Sequence, residues 1–116
     1  MSTIKVENIR IASEAVSRPV TGVAAAWATP SSSGVLDWDS LNISSATDEG
    51  TGDIGFNFNS NMSNATYSVT MTVVTTTSKL ATLGSPSTTT FYLRTFDTTG
   101  SAANARTTAQ VFGELA

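Results

Sequence analysis

The sequence predicts an all-β fold, a small antiparallel β-sandwich or barrel with an extended N-terminal arm, and three observations carry that expectation. Only 13% of the 116 residues are charged, about half the share in an average soluble domain. In their place stand 20 Thr and 16 Ser, and threonine, branched at Cβ, sits better on a pleated strand than in a helix. Short segments alternate apolar and polar residues with a period of two, and clusters of turn formers separate them. No segment carries apolar residues at helical spacing; Ala102–Thr108 comes nearest and lacks it.

The elements follow in chain order. Ile4, Val6, Ile9 and Ile11 are apolar among polar neighbours, with a one-residue slip at Asn8. That pattern fits a kinked strand or an extended arm that needs a partner surface. Residues 13–22 hold Arg18-Pro19 and Gly22 among small polar residues, and a residue before proline is pushed toward extended geometry, so this stretch reads as a linker. The expected division is therefore an arm and linker over 1–22 and a β-sandwich domain over 23–116. At this length one hydrophobic core is available and a second is not.

Within the domain, residues 23–28 form a small-residue run containing Trp27, and Pro30–Gly34 is a turn. Val35–Ile43 places apolar residues at 36, 38, 41 and 43, and Ile54, Phe56 and Phe58 alternate strictly with Gly55 and Asn57. Asp48–Asp53 between them is dense in turn formers, so two strands joined by a tight connection are expected. Tyr67, Val69, Met71 and Val73 share one face of the clearest strand in the chain. Residues 75–90, rich in Thr and Ser and broken by Gly84-Ser85-Pro86, read as a long loop. Two further strands are expected at Phe91–Phe96 and Thr107–Phe112, with a loop over 97–106 between them.

Charge and composition narrow the function. A net charge of −3 with six basic residues offers no cluster to displace counterions from a phosphate backbone, so no nucleic-acid partner is expected. No stretch approaches a membrane span, and the first ten residues lack the basic start and apolar run of a signal peptide. With no histidine and no cysteine, nucleophilic machinery would rest on Ser or Thr with Lys5 or Lys79, neither in a recognisable motif. No enzyme activity, cofactor or metal is expected.

Four features carry a functional and a structural reading side by side. Asp48-Glu49-Gly50-Thr51-Gly52-Asp53 has the acids and glycines of a cation loop but not the ordered ligand spacing, and is read as a hairpin turn whose acids bond nearby amides. Asp37 and Asp39, two apart on one strand face, have the form of a carboxylate pair for acid–base chemistry or a metal, and are read as a solvated strand face with Trp38 buried behind it. Three Asn-x-Ser/Thr sequons, at Asn42, Asn61 and Asn64, match the glycosylation pattern and are read as chance. Tyr92 and the loop 75–90 remain open as a saccharide platform, since an aromatic face beside hydroxyls suits a sugar ring.

The start MSTIKVENIR, the segment LNISSATDEGTGDIGFNFNSNMSNATYSV and the ending QVFGELA together resemble small bacteriophage virion proteins of the tail-fibre or spike type. The resemblance is densest over 41–69 and departs at Trp27–Ser31. It implies a virion location, a homotrimer, other phage virion proteins as partners and a contribution to host attachment. On that reading Ile4, Val6, Ile9 and Ile11 anchor the chain or make oligomer contacts. Loops carry contacts on a rigid scaffold, so Thr88, Thr89, Thr90 and Arg106 are candidate receptor contacts, joined by the aromatic face of Tyr92 on the next strand, Arg106 being able to grip a carboxylate or phosphate bidentately. A host surface glycan is the expected external partner. A capsid-decoration or head-fibre protein and a free carbohydrate-binding module are the alternatives.

Overall fold

In a computed structural model, residues 2–9, 12–13, 18–19 and 23–116 are described, without the side chains of residues 9, 18 and 19. Ile54, Phe56 and Phe58 alternate as the sequence demands, and they lie in the largest sheet. After a two-stranded pairing of β1 (Asn8–Ile9) with β2 (Arg18–Pro19), the strands are β3 (Ala24–Ala28), β4 (Ile43–Gly50), β5 (Asp53–Phe58), β6 (Ser68–Val74), β7 (Leu80–Gly84), β8 (Thr90–Phe96) and β9 (Arg106–Phe112). Strands β4-β5-β8-β7 form one antiparallel sheet and β3-β9-β6 the other. No helix occurs among the described residues. The fold is the all-β sandwich the sequence predicts.

The two sheets contribute differently to the core. The four-stranded sheet supplies bulk: Ile54, Phe56 and Phe58 from β5, and Phe91 and Leu93 from β8. Phe56 and Phe91, opposite one another in register, stack with centroids 4.7 Å apart. The three-stranded sheet answers with small groups, Ala26 and Ala28 from β3 and Ala109 and Val111 from β9, backed by Val69 and Met71 of β6. Large against small across the interface lets two sheets about 10 Å apart interdigitate without voids.

The turn Thr51-Gly52 joins β4 to β5, and the Asp48 carboxylate accepts the Gly50 amide at 3.0 Å. The acidic segment is thus the hairpin turn expected, with its acid on a backbone amide. Glu49 is an extra residue at a bulge, since Asp48 pairs with Ile54 and Gly50 with Asp53.

Three expectations need correction. Residues 35–42 are not a strand. They form a loop in which the Ser31 hydroxyl accepts the Val35 amide at 3.1 Å, Gly34 takes φ 80° and Asn42 takes φ 57°. Leu41 joins the edge of the smaller sheet, exchanging two backbone hydrogen bonds with Trp27 at 2.9 and 3.0 Å. Residues 75–90 are not all loop, because β7 lies inside them; Ala81 and Leu83 turn toward the core while pairing with β8. Trp38 is not buried, with 52% of its surface exposed. The inner volume is filled by Phe56, Phe58, Phe91 and Tyr67, and the loop that carries Trp38 holds it outside.

Candidate interaction surfaces

On the three-stranded sheet, Trp27 alternates with the buried Ala26 and Ala28 and therefore faces outward. Its register partner is Gln110 of β9, and four residues back along the same face stands Arg106. The guanidinium of Arg106 donates to both carboxylate oxygens of Asp37 at 2.7 Å and to the Thr29 carbonyl at 3.0 Å. It also lies 4.4 Å from the centroid of the Trp38 ring. These hydrogen bonds hold the Asp37 carboxyl below the usual carboxylate range, against a smaller opposing effect of burial, and they raise Arg106 above its own ordinary value. The sequence reading gives Arg106 an external anion to grip. In the fold its fork is engaged by Asp37, and Arg106 serves to fasten the loop 35–42 to β9.

Trp27 and Trp38 consequently stand on one side of the sandwich. At about 3.3 Å per residue, the four-residue step from Gln110 to Arg106 separates their rows by roughly 13 Å. Leu41, about half exposed and bridged to Trp27, extends the apolar ground beside them.

The opposite side of the molecule is the outer face of the four-stranded sheet. There Tyr92 pairs with Gly55 of β5 on one flank and Gly84 of β7 on the other. Both glycines are covered. A Cβ on Gly55 would meet the Tyr92 ring at 3.1 Å and the Glu49 carboxylate at 3.4 Å, and one on Gly84 would meet the Arg94 guanidinium at 3.1 Å. The Tyr92 ring thus lies against Gly55 and the Arg94 guanidinium against Gly84. Arg94 also faces Asp53 at 3.5 Å. This arrangement was beyond sequence reasoning, which had no register to place a glycine on either side of Tyr92.

Thr88, Thr89 and Thr90 occupy the turn that leads into β8. Ser87 organises it, its hydroxyl accepting the Thr89 and Thr90 amides at 3.3 and 3.0 Å. The turn is tied to the core: Met62 and Phe58 amides donate to the Thr88 and Thr89 carbonyls, both at 2.9 Å, and the Tyr67 hydroxyl donates to the Ser87 carbonyl at 2.8 Å. Burial raises the Tyr67 phenol above its ordinary pKa. The side chains of Thr88 and Thr89 are left exposed on a rigid support. A groove of about 490 Å³, lined by Met71, Val73, Thr77, Lys79 and Leu80 among others, opens where β6 hands over to β7.

Of the arm residues, Ile4 is 85% exposed and Val6 about half exposed. Ile9 lies in β1, its side chain outside the description, and Ile11 lies outside the described residues. Among the described residues no three His, Cys, Asp or Glu side chains converge as a metal site. Comparison with protein-family models, with curated proteins and with solved structures finds no match.

Proposed function

We propose that the chain is a structural and attachment module of a bacteriophage virion, of the tail-fibre or spike type, working without catalysis as a homotrimer. The observation that supports self-association is that both tryptophans of the chain stand on one outer side of the sandwich, exposed, with Leu41 beside Trp27. Tryptophan is enriched at the energetic centres of protein interfaces, where a large rigid ring is buried at little entropic cost. The virion assignment rests on the sequence resemblance, and the rigid sandwich with its hydroxyl surface is compatible with it.

Magnitudes decide what else the interface needs. Half-exposed tryptophans offer about 100 Å² each, against the ~800 Å² per partner of a stable interface. The sheet side alone falls short, and the exposed Ile4 and Val6 of the arm are among the apolar groups, with Val23, Val74, Leu80 and Leu115, that can supply the rest.

Sedimentation or light scattering of the purified chain tests the reading. A particle of three 12.0 kDa chains is expected, and Trp27→Ser with Leu41→Ser should release monomers with an unchanged far-UV spectrum. A wild-type chain that stays monomeric at micromolar concentration overturns it. Labelled antibodies viewed by electron microscopy on intact particles separate a tail position from the capsid-decoration alternative.

A further inference from the structure

The outer face of the four-stranded sheet has a construction that the fold does not require. Its central strands β5 and β8 are each paired on both sides, so no backbone edge is open there for strand addition. What the face presents instead is side chains. Three consecutive positions across the sheet read Gly55, Tyr92, Gly84. Glycine weakens a strand interior and marks places where something approaches the backbone closely. Here two such glycines flank one aromatic residue, and the things that approach are flat groups: the Tyr92 ring over Gly55 and the Arg94 guanidinium over Gly84. The Tyr92 ring meets Gly55 along its Cδ1–Cε1 edge and stays partly exposed, and Arg94 keeps nearly half its side chain exposed.

The rim is equally specific. The bulge in β4 re-aims Glu49, as bulges do, so that its carboxylate ends 3.4 Å from the position of a Cβ on Gly55, against the same glycine that seats the Tyr92 ring. Asp53 approaches Arg94 at 3.5 Å from the strand opposite. Thr90 pairs with Asn57 in the next row, and the Asn57 amide donates to Ser45 and Thr47 hydroxyls at 3.0 and 3.3 Å.

We infer that this face is a saccharide-binding platform, with Tyr92 as the floor on which one sugar ring stacks and with Glu49 and Arg94 as the groups that take its hydroxyls. An aromatic plane accepts the C–H face of a pyranose, and a carboxylate and a guanidinium at its edge supply an acceptor and a fork of donors for the equatorial hydroxyls. The same rim excludes the other flat ligand. A nucleotide stacked on Tyr92 would bring its phosphate toward the carboxylates of Glu49 and Asp53 on a chain of net charge −3, where the favourable counterion exchange of phosphate binding is missing. The ligand is an uncharged hexose or N-acetylhexosamine unit of a longer chain. This inference deepens the attachment half of the proposed function and rests on it for biological meaning, but its site is on the sheet opposite the tryptophans.

The test is a printed panel of neutral hexose and N-acetylhexosamine oligosaccharides probed with the full chain and its variants, with thermal melting and light scattering run on the same samples. Wild-type protein should bind at least one glycan. Tyr92→Phe should keep that binding within a few-fold, while Tyr92→Ala and Arg94→Ala should each weaken it by about tenfold or more, one stacked ring or one charged hydrogen-bonding group being worth that much. Gly55→Val, whose side chain would lift the ring off its seat, gives an independent loss should Tyr92→Ala fail to fold. Absence of binding across the panel, or equal binding by folded Tyr92→Ala, overturns the inference. A trimer that binds nothing leaves the self-association reading standing, and a monomer that binds through Tyr92 keeps the platform while removing the trimer.

Discussion

Replacing Gly52 by alanine should destabilise the protein far more than replacing Gly100 by alanine, although both glycines sit in turns at positive φ. Gly52 has φ 66° and Gly100 φ 88°, and an L-residue forced into left-handed geometry costs about 1–2 kcal/mol. The surroundings differ. A Cβ at Gly100 meets nothing within 4 Å, whereas one at Gly52 would lie 2.5 Å from the Thr95 carbonyl oxygen and 3.0 Å from the Ala103 backbone. Gly52 also accepts the Thr95 amide and donates to the Asn104 side chain, both at 2.8 Å, so the methyl displaces the contacts that seat the loop 97–105 on the hairpin. Overpacking of this kind adds about 1–3 kcal/mol. The expected losses are therefore about 1–2 kcal/mol for Gly100→Ala and about 2–5 kcal/mol for Gly52→Ala. Unfolding entropy near 2.1 cal/mol/K per residue makes one kcal/mol worth about 4 °C in a chain of 116 residues. Thermal melts at one fixed protein concentration, so that any assembly contributes equally, should drop by about 4–8 °C and about 8–20 °C respectively. Equal drops in the two variants would mean that the loop is not packed on the turn, and would refute the reasoning.

Two further outcomes follow from the core and from the loop fastening. Phe91→Ala, which removes a fully buried ring stacked on Phe56, should cost about 3–5 kcal/mol in a denaturant titration; a loss below about 1 kcal/mol would place the ring outside the core. Asp37, whose carboxyl Arg106 holds below the ordinary range, contributes stability that is present above the unfolded value near 3.9 and lost as pH falls through the depressed one. The gap in melting temperature between wild type and Asp37→Asn should therefore be constant above about pH 5 and close as the pH drops below about 3.9. A gap that widened on acidification would contradict the ion pair.

The parts of the fold that could be read from sequence are those whose signal is local. Strict alternation in Ile54–Phe58 and Tyr67–Val73 survives into β5 and β6 because half of each strand faces the core, and a period of two is then obligatory. The acidic turn was legible because its chemistry is contained within Asp48–Asp53. β7 was not, since an edge strand with only Ala81 and Leu83 facing inward has little pattern of its own, and its stability comes from pairing with β8. The loop 35–42 mimicked a strand because Leu36, Trp38, Leu41 and Ile43 space themselves almost as one. What holds it is a fork of hydrogen bonds from Arg106 across 69 positions of sequence, which no local pattern reports. The candidate receptor residues divide the same way: the hydroxyl-rich turn 88–90 could be marked from composition, while Tyr92 acquires its setting from two glycines on other strands.

The exposure of the tryptophans follows from how the core is filled. β3 packs its inner face against an aromatic layer 0–8% exposed, and the side chains it places there are the small ones of Ala25, Ala26 and Ala28. A tryptophan on that strand has room only on the outer face, and so Trp27 is exposed because Phe56 and Phe91 are buried. Trp38 is excluded by the same filled volume, and its loop is fixed to β9 by Arg106 instead of by burial. Shrinking the aromatic layer should therefore not recruit either ring to the core, because Trp27 would have to reverse the register of β3 against β9, which flips every alanine of the strand to the outside. The outer placement of the rings is a consequence of register, fixed when Ala26 pairs with Val111 and Ala28 with Ala109. It follows that the part of the proposed self-association surface that Trp27 supplies is set by the core sequence itself, through the register of β3 on β9.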